Sequence, residues 1–322
     1  MSFAEPTART GPRPAGALSL AGFRDVWFQP DADDAAARRL SAPRPDLCGL
    51  TLDRPRVMGI LNVTPDSFSD GGDHAALDAA VDRARVMTDE ADIIDIGGES
   101  TRPGAEEVPV SEEIRRTAPV IEAIRAAGIT TPISIDTRKA RVAEAALNAG
   151  ADIVNDVSAF EFDPELADLC AEREVPVCLM HAKGLPDTMQ VNPTYEDVVG
   201  EVMGHLEARI GFALSKGVKR ERIITDPGIG FGKTLDHNMT LLRHLTVFHD
   251  LGLPVLLGVS RKRFIGTIGG ADDAKDRLGG SLAVALYGAA RGMHILRVHD
   301  THATTQALRL WAAMEERNGR NG

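Results

Sequence analysis

From Arg56 to Arg317 short apolar runs alternate with amphipathic stretches, and this alternation constrains the fold more than any other feature of the chain. The runs predict strands at 57–63, 93–97, 132–136, 152–157, 176–180, 223–226, 254–259 and 294–298. The stretches between them predict helices at Leu77–Asp89, Glu112–Ala126, Lys139–Ala149, Pro164–Arg173, Tyr195–Lys216, Asp236–Asp250 and Asp276–Arg291, with a last one from about His302 to Arg317. A strand reaches a parallel neighbour only by crossing a sheet face, so strand and helix in alternation imply parallel pairing with right-handed crossovers. About eight such units over about 260 residues predict an α/β fold, a closed (β/α)8 TIM barrel, over an open doubly wound sheet with fewer strands.

At 322 residues and 43% hydrophobic, the chain can bury a full core. A net charge of −11 and a pI near 5.3 exclude a surface built for nucleic acid or anionic membrane, though not a local cationic pocket. Cys48, Cys170 and Cys178 form no disulfide framework and no C-x-x-C, the pattern of a reducing compartment. No apolar run approaches the roughly 20 residues of a membrane span, and no signal peptide is legible, so a soluble, cytoplasmic protein is expected. Residues 1–55 are rich in Pro, Ala and Asp and read as a partly ordered N-terminal extension that packs its apolar island, Phe23 to Phe28, on the barrel of residues 56–322.

Nearly every predicted strand stops at a polar or charged residue. Strand one ends at Asn62, strand two runs Asp95-Ile96-Gly97-Gly98, strand three ends Asp136-Thr137 and strand four Asn155-Asp156. Strand five ends at His181, strand six at Asp226, strand seven at Ser260-Arg261-Lys262 and strand eight at Arg297-Val298-His299-Asp300. Such placement predicts one pocket at the carboxyl rim. Asp136 and Asp226, taken singly, are equally well read as helix caps. With Asn155 and Lys262 they make a set that only a polar ligand would satisfy, such as a heterocycle with N–H donors on one edge and a carbonyl on another. Arg102, Arg297 and His299 read as an anion subsite, the alternative for either arginine being a pairing with a surface acid. A short helical turn at Arg261–Ile265, after Ser260, would also receive a carboxylate or phosphate.

Gly228-Ile229-Gly230-Phe231-Gly232-Lys233-Thr234 is neither a Walker loop, because Pro227 stands where the first glycine belongs, nor G-x-G-x-x-G, because Lys233 replaces the third. Its glycines instead allow backbone to approach a flat ligand, with Phe231 as a wall. His299, Asp300 and His302 lack a zinc pattern. Magnesium is the expected ion, held through Asn62 and a substrate's phosphates. No activated nucleophile is legible, so the chemistry should rest on positioning and on stabilising a leaving group.

The segments NVTPDSFSDGG (62–72), DIGGESTRPGA (95–105), SIDT (134–137), VNDVSA (154–159), MHAKGLPDTMQ (180–190), DPGIGFGKT (226–234), GVSRKRFIG (258–266) and RVHD (297–300) together resemble the dihydropteroate synthase family, in order, from about Arg56 to Arg317. The resemblance implies a TIM barrel that condenses dihydropterin pyrophosphate with p-aminobenzoate and releases pyrophosphate, with Mg²⁺ as cofactor, sulfonamides as competitors of p-aminobenzoate and a homodimer as the assembly. It implies that Asp136, Asn155, Asp226 and Lys262 bind the pterin with Arg297 stacked on it. Asn62, through Mg²⁺, and Arg297 with His299 would hold the pyrophosphate. Phe68, Thr101, Arg102, Pro103, Phe231 and Ser260 would shape the p-aminobenzoate side. Asn62, Arg102, Lys262, Arg297 and His299 are thus the expected catalytic set. The family reading has the C–O bond ionise before the aniline attacks, which agrees with anion donors and no evident general base. Ala182, Leu185 and Asp187 depart from the family pattern, which bears on affinity. The alternative enzyme is a methyltetrahydrofolate-dependent corrinoid methyltransferase of the same barrel type, which is expected to lack the Ser-Arg-Lys and complete 62–72 signatures. A barrel retained as a folate-sensing scaffold would tolerate loss of Asn62 or Arg102, and both are present.

Overall fold

A computed structural model describes residues 43–63, 72–100, 104–184 and 188–318. Strands β1 (Arg56–Asn62), β2 (Ile93–Gly97), β3 (Ile133–Asp136), β4 (Ile153–Asp156), β5 (Val177–Met180), β6 (Ile223–Asp226), β7 (Leu256–Gly258) and β8 (Ile295–Val298) form one parallel sheet in the order β6-β5-β4-β3-β2-β1-β8-β7. The ring closes between β6 and β7 through a single parallel bridge, Thr225 to Val255, with the Thr225 N–H donating to Pro254 O at 2.9 Å. Pro254 has no N–H to offer the ladder, which limits pairing at this seam and shortens the predicted strand 254–259 to three residues.

Helices α1 (Gly72–Thr88), α2 (Val110–Ala126), α3 (Ala140–Ala149), α4 (Glu165–Arg173), α5 (Val198–Ser215), α6 (Leu235–Arg243), α7 (Arg263–Gly269), α8 (Leu278–Ala289) and α9 (Thr301–Asn318) connect and follow the strands. They cover the outside of the ring while the inside packs on itself. Every residue of β2 to β6 is therefore buried, and the strands read as continuous apolar runs rather than alternating ones.

Three helix expectations are corrected. The stretch 236–250 is split into α6 and a 3₁₀ segment, Leu245–Leu251, whose buried Leu245, Phe248 and Leu251 recur every third residue and so suit three residues per turn. The stretch 276–291 begins as a 3₁₀ turn, Ala274–Arg277, before α8. Helix α5 starts at Val198 instead of Tyr195, where the Asp197 carboxylate accepts the Val199 N–H at 3.1 Å.

The interior is layered. Met58, Ile93, Ile153, Cys178, Ile224, Leu256 and Ile295 pack together at the amino-terminal end of the ring, joined by Leu47 and Leu52 from the segment before β1. Leu47 and Leu50 exchange backbone hydrogen bonds at 2.9 and 2.8 Å, forming a tight turn against this floor. Residues 43–55 thus contribute to the barrel's core, while the expected Phe23–Phe28 contact lies outside the described residues. Cys170 and Cys178 are buried free thiols and Cys48 is a half-buried one. Among the described residues, no helix is long and apolar enough to cross a membrane.

Candidate functional site

Side chains two apart on a strand share a face, so the residue after next from each floor residue points into the barrel mouth. That rule takes Ile93 to Asp95 and Gly97, Ile153 to Asn155, Ile224 to Asp226, Leu256 to Gly258 and Ile295 to Arg297. Strand register then aligns Asn62 with Gly97, Gly97 with Asp136 and Asp136 with Asn155, a single row across four neighbouring strands. Met180 aligns with Asp226, and Gly258 with Arg297. Asn62, Asp136, Asn155, Asp226 and Arg297 therefore surround one opening. Neither Asp136 nor Asp226 caps a helix, since Lys139 and Thr234 occupy those positions.

The centre of the mouth is an ionic network. Arg297 donates from Nε to Asp95 Oδ2 and from Nη2 to Asp136 Oδ2, both at 2.6 Å. Asn155 Nδ2 approaches both Asp95 oxygens at 3.4 and 3.5 Å. Arg297 thus pairs with acids, but buried ones inside the barrel. Burial, with Asp95 close by, pushes the Asp136 carboxyl up to about 7 against the pull of Arg297. Asp136 Oδ1 and the neighbouring Ser134 Oγ are buried without a hydrogen-bond partner. Orphaned buried acceptors of this kind call for a ligand or water.

The other wall comes from β6 and β7. Asp226 Oδ1 accepts the Gly228 N–H at 2.7 Å, and burial raises its carboxyl although Lys262 opposes this. Burial brings the Lys262 ammonium down to about 8, with Asp226 resisting. Lys262 Nζ donates to Ile229 O and lies 4.5 Å from the centroid of the Phe231 ring. Glycines make room between these groups. A Cβ on Gly97 would sit 3.4 Å from Asp136 Cβ, and one on Gly258 would sit 3.7 Å from Asp226 Oδ2 and 3.9 Å from Arg297 Cβ. A flat polar ring could lie between Asp136 and Asp226 for this reason.

Around the rim, Ser260 Oγ accepts the His299 backbone N–H at 3.2 Å and lies 3.1 Å from its Nδ1, so these two expected site residues meet. Asp300 pairs with Arg261 and His302 with Glu90, which separates them from any shared metal site. Helix α7 begins at Arg263, two residues later than the expected turn. The loop after β2 is pinned at both ends by a buried cluster. Glu99 accepts from Arg138 Nε at 3.0 Å, Lys139 Nζ at 2.6 Å and the Val108 N–H at 2.7 Å, and Lys139 also reaches Val108 O at 2.5 Å and Glu113 at 2.8 Å. Phe68, Thr101, Arg102 and Pro103 lie outside the described residues, as do Leu185 and Asp187. Sequence reasoning passed over Asp95, Gly97, Gly258 and Lys233 as site residues. Asp95 was findable, because a carboxylate two residues from Ile93 in a strand buried on both faces must have a partner inside.

The pterin binding enzyme family profile matches residues 58–299. Dihydropteroate synthase of Neisseria meningitidis serogroup C is 48% identical over 267 residues, covering 82% of this chain and 94% of that protein. The chain belongs to the dihydropteroate synthase family. The Xanthomonas albilineans dihydropteroate synthase solved with 4-aminobenzoic acid superposes with a TM-score of 0.79 at 50% identity, covering 85% of this chain and 98% of that one. The same bacterium's synthase in complex with 7,8-dihydropteroate gives a TM-score of 0.76 at 47% identity, with 85% and 99% covered. These dihydropteroate synthases favour the C–N bond-forming transferase over the corrinoid methyltransferase alternative.

Proposed function

We propose that the barrel mouth binds 6-hydroxymethyl-7,8-dihydropterin pyrophosphate and joins it to p-aminobenzoate, giving 7,8-dihydropteroate and pyrophosphate. The observation that carries this reading is the row Asn62, Asp136, Asn155 facing Asp226 and Lys262 across a glycine-floored gap, in a chain of the dihydropteroate synthase family. Asp226 accepts N–H bonds from the pterin edge, Asp136 and Asn155 take the opposite edge, and the Lys262 ammonium donates to a ring carbonyl or nitrogen. Arg297, braced by Asp95 and Asp136, presents its planar face to the ring. Its positive charge and the His299 ring favour the departing diphosphate as the C–O bond breaks. The aniline nitrogen then forms the C–N bond and sheds its proton to water. Phe231 and Ser260 border the p-aminobenzoate side; Phe68, Thr101, Arg102 and Pro103, which the family resemblance assigns to it, lie outside the described residues.

Among the described residues, no group of three or more His, Cys, Asp or Glu could hold a metal ion. Asn62 offers one half-buried amide oxygen, a donor that suits a hard ion kept mostly by water and the substrate's own phosphates. Magnesium held there would neutralise diphosphate charge. A homodimer is supported by the outer face of α8, where Leu278 and Ala283 are exposed beside half-buried Leu282 and Leu286, and by exposed Leu310 and Met314 on the neighbouring α9. Light scattering that returns one monomer mass across the micromolar range would remove this assembly. The free thiols support a reducing, cytoplasmic setting.

The decisive experiment is pyrophosphate release from dihydropterin pyrophosphate, with and without p-aminobenzoate. Release that requires the aniline and yields dihydropteroate is expected. No release in either case would overturn the reading.

A further inference from the structure

Lys233 is buried behind the glycine loop that follows β6, at 2% exposure, and takes no part in the chemistry described above. Its Nζ lies 2.8 Å from Gly228 O, 3.0 Å from Phe231 O and 2.8 Å from His181 Nδ1, with His181 O at 3.3 Å. Burial lowers the Lys233 ammonium well below its ordinary value, with Asp226 resisting, and the three nearest acceptors match the three N–H bonds of the charged form. Burial and Lys233 itself hold His181 neutral, its ring pushed down to about 2, which leaves Nδ1 a lone pair to accept with. The loop packs directly on the backbone that follows β5. Gly228 and Gly232 have φ of +65° and +61°, and a Cβ would lie 1.8 Å from His181 O and 2.1 Å from Lys183 O respectively.

The opposite side of the same loop faces the barrel mouth. Between the two carbonyls that Lys233 binds lies the Ile229 carbonyl that receives Lys262, and the Phe231 ring beside Lys262 belongs to the residue whose carbonyl Lys233 holds. The Gly228 N–H that orients Asp226 sits in the peptide preceding the other bound carbonyl. Two lysines therefore grip one loop from its two sides, one structural and one in the mouth.

We propose that Lys233 is a positioning residue for the pterin substrate: by fixing the Gly228 and Phe231 carbonyls it sets where Asp226 and Lys262 stand. This rests on the pterin reading of the mouth. Losing Lys233 leaves the Phe231 carbonyl without its donor and the Gly228 carbonyl with only the Phe231 N–H, at 3.1 Å, and lets the loop shift, which weakens the pterin side, where Asp226 and Lys262 stand, more than the p-aminobenzoate side that Phe231 borders. Tyr195 supports the same loop from a third direction, its hydroxyl donating to Gly232 O at 2.8 Å.

The test is steady-state kinetics of the full chain carrying Lys233→Met, which keeps the chain length without donors, and separately Tyr195→Phe. Lys233→Met should raise KM for dihydropterin pyrophosphate about ten-fold, and Tyr195→Phe about three-fold, with a smaller rise in KM for p-aminobenzoate in both. Unchanged pterin KM, an equal rise for both substrates, or a fall in active fraction alone would overturn the proposal. If Lys233→Met does not fold, Tyr195→Phe decides by the same criterion. The wild-type rate tests the functional reading separately, and calorimetric affinity for 6-hydroxymethylpterin reads the inference without turnover.

Discussion

Arg297 on β8 and Asp95 on β2 meet inside the barrel across the width of β1, with Nε donating to Oδ2 at 2.6 Å. Asp95 is fully buried while Arg297 reaches partway into the mouth, so the pair anchors a ligand-facing guanidinium in the core. A buried pair of this kind adds little net stability, because desolvation offsets attraction, but breaking it is costly. Asp95→Asn should lower unfolding free energy by about 2–4 kcal/mol and weaken pterin binding by releasing Arg297. Urea denaturation together with calorimetry checks both; a variant of wild-type stability and affinity would show that Asp136 alone suffices to hold the guanidinium.

Asp226→Asn keeps an oxygen for the Gly228 N–H but loses the charge that a pterin edge would meet. Pterin affinity should fall about 100-fold, with little change in thermal midpoint. Wild-type affinity in this variant would assign pterin recognition to other residues.

The Lys262 ammonium, brought down to about 8 by burial, loses its proton as pH rises through that value. Its donor function is present below about pH 8 and lost above it. The kcat/KM for dihydropterin pyrophosphate should therefore show an alkaline limb near pH 8, and Lys262→Gln should flatten it at a lower plateau. A limb that survives the substitution belongs to a different group.

Burial raises the Asp136 carboxyl to about 7 in the folded chain, against about 4 for an ordinary aspartate in the unfolded chain. Between those values the folded state holds a proton that the unfolded state has released. Wild-type stability should accordingly fall as pH rises from about 4 to 7 and level off above. Asp136→Asn should make this decline shallower, the raised Asp156 and Asp226 carboxyls keeping the rest, which chemical denaturation at a series of pH values would register. Parallel curves for the two proteins would count against it.

Truncation separates the two parts of the N-terminal segment. Removing residues 1–42 should leave turnover and stability near wild type. Removing 1–50 also deletes Leu47, buried in the barrel floor, and Leu50 packed against it, at about 1.5–3 kcal/mol for each fully buried leucine. Thermal melts of the two truncations make the comparison; equal midpoints would show that the floor needs no plug.

The order of the eight strands, their boundaries to within a few residues and the polar character of their carboxyl ends were all present in the sequence, because strands buried on both faces must be written as short apolar runs closed by polar residues. The family resemblance and five of the rim residues, Asn62, Asp136, Asn155, Asp226 and Arg297, were legible for the same reason. Tertiary structure alone decided which carboxylates meet inside the barrel. The sequence marked Asp95 as a carboxylate in need of an interior partner, but only ring closure, which laid β8 beside β1, brought Arg297 to it, a contact between positions 202 apart. The sequence singled out Lys262 at the end of strand seven and left Lys233, at the end of a glycine loop, without a role. Folding buried one behind a loop and set the other in front of it, and local composition carries no record of which side of a loop a side chain will face.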